Sequence, residues 1–168
     1  DSDVYLYNRE SGEITHKTPH EGDVNYRAVT FSPSGEDLYL VTDLDHDFSY
    51  LVKHSLKQGT NEVVAKPNWD VTSASFSKQG KYFVYGINED GKSVLKVLRS
   101  DGWQEIELPA FVDANINSLE FSDDETQLAL YVSSDKAPGD LYYMSLESEE
   151  GAIPEKLTAS LNPEINPD

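Results

Sequence analysis

The 168-residue sequence predicts an all-β chain, a partial β-propeller of about three and a half four-stranded antiparallel blades. Three observations carry that expectation. The first is a repeat: Phe31-Ser32, Phe76-Ser77 and Phe121-Ser122 follow one another at steps of 45 residues. The second is the order of events around each pair, a short strand before it, a four-residue turn after it, then three more apolar runs, which is the strand content and period of a propeller blade. The third is composition within the repeat. Small residues (Ala28, Thr30, Ser73, Ala74, Ser75) collect in the first strand, as an innermost strand requires where blades converge and space is tight.

Each element follows from its residues. "YRAVTFS", "VTSASFS" and "INSLEFS" form the first strands, and the second begin seven residues past each Phe, at Leu38, Phe83 and Leu128. "SYLVKHSL", "SVLKVLRS" and "DLYYMSLE" supply the third, and "NEVVAK", "QEIELPA" and "PEKLTA" the fourth. All are short and rich in Val, Leu, Tyr and Phe, which favours strand over helix. Between first and second strands, Ser32-Pro33-Ser34-Gly35 reads as a type I turn, with Pro pre-set at the second position and Gly at the fourth. Ser77-Lys78-Gln79-Gly80 keeps the glycine. Ser122-Asp123-Asp124-Glu125 loses it and is expected to be the least regular turn. Asn88-Glu89-Asp90-Gly91 and Ser100-Asp101-Gly102 mark further hairpins.

The blades are expected at 26–66, 71–110 and 116–159. "VYLYNRE" and "GEITHKT" match the third and fourth strands of a half blade over 3–18. Closed propellers have about four to eight blades, and the first residue is Asp1, not Met. The chain therefore reads as a segment of a larger ring, with 160–168 as an exit linker. Uncovered blade faces are expected to drive self-association, as a pair approximating seven blades.

Charge narrows the partners. A net charge of −18 repels nucleic acid and anionic membrane surfaces. No run is apolar enough for a membrane helix and the N-terminus has no signal-peptide pattern. Without Cys there is no disulfide framework or thiolate zinc site, and a soluble chain of either cytoplasm or periplasm fits.

"FSPSGEDLYLVTD" is similar to the repeat shared by Tol-system propellers and the propellers of prolyl-oligopeptidase-type serine peptidases. "TDLDHDFSYLVKHSL", "NWDVTSASFSKQGKYFVYGINEDGKSVLKV" and "PEKLTASLNPEINPD" resemble successive blades and the exit segment of the bacterial acylaminoacyl-peptidase and dipeptidyl-peptidase-like branch. The resemblance runs through nearly all of the chain in one register. It implies a non-catalytic propeller that limits peptide access to an α/β-hydrolase domain of the parent chain, with the nucleophile, acid and base all beyond Asp168. The alternatives are a stand-alone protein-binding module of the Tol type, and a propeller enzyme with its own channel site.

No catalytic, cofactor-binding or metal residue and no cofactor is assigned. Gly86-Ile87-Asn88-Glu89-Asp90-Gly91-Lys92-Ser93 satisfies the phosphate-loop pattern, but a hairpin is expected where that loop needs a helix. Asp43, Asp45 and Asp47 have alternate spacing, but Phe48 and His54 stand where an EF-hand needs Gly and Glu. A solvated hairpin with Phe48 tucked between blades is the preferred reading, and an irregular cation site the other. His16 and His20 have a zinc-like spacing without a second ligand pair, and read as a chance surface pair. His46 and His54 have no evident partner. Trp69-Asp70 is expected to pack and cap a turn at the start of a blade. Arg27 and Glu120, on first strands, point either to a channel, where they steer peptide termini, or to rim ion pairs. No G-x-S-x-G elbow occurs.

Overall fold

Within each sheet every strand pairs with its neighbour along the chain, the order that short connecting turns favour. The computed structural model describes residues 1–112, 114–136, 138–147, 153–162 and 164. The chain divides into two compact units, Asp1–Ser75 and Phe76–Asp168.

In the first unit, β1 (Tyr5–Tyr7) and β2 (Ile14–His16) form a two-stranded antiparallel sheet. A four-stranded sheet follows in sequential order: β3 (Tyr26–Phe31), β4 (Asp37–Thr42), β5 (Tyr50–Ser55) and β6 (Asn61–Ala65). Val4, Val24, Tyr26, Leu38, Leu40, Tyr50 and Val52 make its core. Next come β7 (Asp70–Phe76), β8 (Tyr82–Glu89), β9 (Lys92–Arg99) and β10 (Glu105–Ile106), in the order β10-β9-β8-β7, with the boundary between units falling at the end of β7. The last sheet is β11 (Asn115–Phe121), β12 (Gln127–Ser133), β13 (Asp140–Ser145) and β14 (Glu155–Lys156). The second unit's core joins Tyr82, Val84 and Val97 to Leu128, Leu130, Val132, Met144 and Leu146. Of the expected exit linker 160–168, residue 163 and residues 165–168 lie outside the described residues.

Burial explains the apolar runs. Leu38 to Thr42 in β4 are all buried, so the strand needs apolar residues on both faces. In β12 only Leu128, Leu130 and Val132 are buried, every second residue, so one face of the last sheet is covered far more than the other. Lys92–Arg99, which has some helical amphipathicity, is a strand because Tyr82–Glu89 pairs with it along its whole length.

The Phe-Ser corners repeat atom for atom. Ser32, Ser77 and Ser122 each donate their N–H to the carbonyl five residues on, at 2.9, 2.9 and 3.0 Å. Each hydroxyl accepts the N–H of that same residue, at 3.0, 2.9 and 3.0 Å. The serine hydroxyl thus closes the corner where the sheet ladder starts.

The expectation for Ser122–Glu125 is corrected. Its Glu125 N–H donates to the Ser122 carbonyl at 2.9 Å, as Gly35 does to Ser32 and Gly80 to Ser77. Glu125 adopts φ +57°, the left-handed conformation of Gly35 (+73°) and Gly80 (+78°). A side chain there costs about 1–2 kcal/mol, and the carboxylate offsets it. Glu125 is fully buried and accepts the N–H groups of Gln79 (2.5 Å) and Lys81 (3.2 Å) in the preceding turn.

Candidate functional site

The first strands of the sheets, which carry Arg27 and Glu120, are open and polar. In β3 Arg27 and Ala28 are exposed, in β7 Thr72 and Ser73, and in β11 Asn115, Asn117, Ser118 and Glu120. Arg27 forms no ion pair among the described residues; its Nη2 donates to the Thr72 carbonyl at 2.7 Å. That bond orients the guanidinium along the neighbouring first strand and leaves donors for a carboxylate. Glu120 also lacks an ion-pair partner among the described residues. It lines an open groove of about 600 Å³ with Phe121, Gln127, Leu128, Ala129, Tyr143 and Leu157. Among the described residues, then, neither takes part in a rim ion pair.

The acidic loop after β4 is structural. The Asp43 carboxylate accepts the Asn25 N–H at 2.7 Å and its side-chain amide at 2.8 Å. Those bonds hold its carboxyl below the ordinary value. Asp45 takes a positive φ, 52°, to turn the chain. His46 Nδ1 lies 2.8 Å from the Phe48 carbonyl, and Phe48 is half-buried against Trp69, ring centres 5.8 Å apart. Asp70 accepts the Ser49 N–H at 2.8 Å while Val71 donates to the Ser49 carbonyl, so this dipeptide ties the loop down as a cap. Buried His54 bonds Asn61 across β5 and β6 at 2.8 Å.

His16 and His20 are brought together through an acceptor the spacing did not suggest. His16 Nε2 lies 2.9 Å from Asp3 Oδ1, and His20 Nδ1 lies 3.2 Å from the same oxygen. His20 Nδ1 is also 2.9 Å from the Thr18 carbonyl, and with acceptors on that side the proton sits on Nδ1. The His16 hydrogen bond is the leading reason the Asp3 carboxyl sits below its ordinary value. Among the described residues no group of three or more His, Cys, Asp or Glu is placed to hold a metal ion.

Gly86–Ser93 is a hairpin. Glu89 pairs with Lys92 around Asp90 (φ 50°) and Gly91 (φ 79°), the two left-handed residues of a type I′ turn. No helix N-terminus follows, so the phosphate-loop geometry is absent.

A pair of clamps went unread in the sequence. Asp3 Oδ1 accepts the Thr18 hydroxyl at 3.0 Å, and Thr18 Oγ1 accepts the Val4 N–H at 2.9 Å. Asp140 Oδ1 accepts the Thr158 hydroxyl at 2.9 Å, and Thr158 Oγ1 accepts the Leu141 N–H at 2.9 Å. The signal was present: "DVYLY" and "DLYYM" each begin a third strand, with a Thr after the fourth.

Asp140 also accepts the Ser160 N–H at 2.8 Å and pairs with Lys156 at 2.7 Å. Lys156 first, then the bonds from Ser160 and Thr158, hold its carboxyl far below the ordinary carboxylate value. A carboxyl depressed in the folded state contributes stability above its unfolded value, about 3.9, and loses it as pH falls further. Asp140→Asn is therefore expected to lower the urea midpoint at pH 7, with the gap to wild type narrowing below about pH 4. A gap that is constant with pH would show that the Asp140 charge carries none of it.

No family model matches the chain, and no curated protein sequence does. Solved structures do. TolB from Acinetobacter baumannii matches with a TM-score of 0.63 and 17% identity, over 93% of this chain and 37% of that one. A prolyl endopeptidase matches with a TM-score of 0.66 and 16% identity, over 98% of this chain and 24% of that one. The chain is a partial β-propeller. It spans well under half of either structure, and at these identities the likeness is one of fold. The propeller blades are the four-stranded meanders described above, with β3, β7 and β11 as their first strands.

Proposed function

We propose that this chain is part of a non-catalytic propeller that limits peptide access to the active site of a prolyl-oligopeptidase-type serine peptidase. The finer placement is the acylaminoacyl-peptidase and dipeptidyl-peptidase-like branch, on the ordered set of stretches quoted above. The observation that carries the proposal is the fit to a prolyl endopeptidase over 98% of the chain. The open, polar first strands support it, since a passage for peptides needs small and polar walls, with a group such as Arg27 to meet a carboxyl terminus. The catalytic Ser, Asp and His belong to a hydrolase domain of the parent chain in this reading.

The test is the parent polypeptide. Its gene is expected to encode G-x-S-x-G, then Asp, then His, after codon 168, and a fluorophosphonate probe is expected to label that Ser. Hydrolysis of a peptide series is expected to fall off with length. A parent chain without that motif and without labelling overturns the proposal.

The fit to TolB supports a second reading, a protein-binding module without a hydrolase domain. Under it the parent stays unlabelled, and a peptide partner binds the first-strand surface with an affinity that Arg27→Glu abolishes.

A further inference from the structure

A polar pocket lies between two adjoining blades of the second unit, where β9 packs beside β11. It has a volume of about 550 Å³ and is lined by Lys92, Phe111, Ala114, Asn115, Asp135 and Lys136. That volume falls within the range of small-molecule sites, about 300–1,000 Å³. Lys92 opens β9 at its hairpin, Asn115 opens β11, and Asp135 and Lys136 follow β12. Three separate segments thus bring polar side chains to one concave place.

Charge sets this place apart. The chain has 31 acidic residues against 13 Lys and Arg, and Lys53, Lys78, Lys96 and Lys156 are each paired with a carboxylate. Lys92 and Lys136 are exposed and form no ion pair among the described residues, nor does the Asn115 side chain make a hydrogen bond among them. Two ammonium groups and an amide therefore line one pocket with donors to spare. Asp135 is the one carboxylate in the lining, which leaves the lining net positive. Phe111 gives the pocket a fixed apolar wall. Its ring packs edge-on against Tyr142, centres 4.8 Å apart, beside the buried core of the unit.

We propose that this pocket binds a carboxylate carried on a short apolar group. Lys92 and Lys136 neutralise the charge, Asn115 donates a hydrogen bond, and Phe111 and Ala114 cover the apolar part. A peptide's C-terminal residue and a free small carboxylic acid share that chemistry. Both lysines are in contact with water, so the attraction is screened and added salt weakens binding. The inference stands independently of the peptidase reading, and Arg27, in the other unit, takes no part in it.

NMR titration of the isotopically labelled 168-residue chain tests it, with N-acetyl-alanyl-leucine, the same peptide capped as its C-terminal amide, isovalerate and inorganic phosphate as probes. Saturable shifts at the Lys92, Ala114 and Asn115 amides are expected with the free-acid peptide, with isovalerate or with both, and the pattern says which source fits. The capped peptide is expected to leave them unmoved. Lys92→Gln and Lys136→Gln are each expected to raise the dissociation constant about threefold, the size of one exposed ion pair. Lys57→Gln, which removes the same charge from an exposed lysine outside the pocket, is expected to leave it unchanged, and unchanged signals elsewhere show that each variant folds. The absence of saturable shifts overturns the proposal, as do shifts confined to amides around Arg27. Capped peptide that binds as well as the free acid also overturns it, and so does phosphate that matches the carboxylates signal for signal. A Lys57→Gln effect equal to that of Lys92→Gln would place the cause in net charge, and overturns it too.

Discussion

Glu125→Ala is expected to destabilise the chain by about 3 kcal/mol. Two backbone donors, on Gln79 and Lys81, lose the buried carboxylate they share. A buried donor left unpaired costs about 1–3 kcal/mol. The alanine also inherits a left-handed backbone with nothing to offset it. A series separates the two contributions. Glu125→Gln keeps one acceptor oxygen and is expected to be mildest. Glu125→Gly loses the acceptor but gains back about 1 kcal/mol from the relaxed backbone, so it falls between Gln and Ala. Urea unfolding at pH 7 checks the order. An alanine variant within about 0.5 kcal/mol of wild type would show that water replaces the carboxylate.

Tyr82→Ala is expected to cost about 4 kcal/mol, in the range for deleting a buried aromatic side chain. Tyr82 is almost fully buried and its ring lies parallel to that of Phe121, centres 5.0 Å apart. Arg99 stands over the same ring at 5.7 Å. The side chain thus joins two blades of the second unit at one point. Tyr82→Leu, which keeps apolar volume without the ring, is expected to recover about half. A double-mutant cycle with Phe121→Leu is expected to return a coupling of about 1 kcal/mol for the stacked pair. Additive single effects would show that the rings contribute only their area.

What could be read from the sequence was what each blade needs locally. The Phe-Ser pairs stood out because every blade uses the serine hydroxyl to close its own corner, within five residues. The Gly86–Ser93 hairpin was legible because Asp-Gly at a two-residue turn is a local rule. Glu125 was misread because its compensation comes from partners 44 and 46 residues away, beyond the reach of any turn rule. The zinc-like spacing of His16 and His20 read as a chance surface pair, and what joins them is Asp3, ahead of β1, which that spacing does not reveal. Asp140 was passed over as a strand residue, since Thr158 lies 18 positions on. The small residues of the first strands were read as the mark of a crowded inner strand, so neither the exposure of Ala28, Thr72 and Ser73 nor the orientation of Arg27 by a neighbouring carbonyl was anticipated.

The Asp90-Gly91 tip has a practical consequence. Residues 88–93 are exposed, the turn supplies its own left-handed pair, and β8 and β9 on either side are ladder-paired from Tyr82–Arg99 to Glu89–Lys92. A guest peptide spliced between those two residues would meet no core and would start and finish on a rigid two-stranded stem. The stretch whose letters mimic a nucleotide cradle is in physical terms a display post, the place where this chain can carry an epitope or a label with least disturbance to its blades.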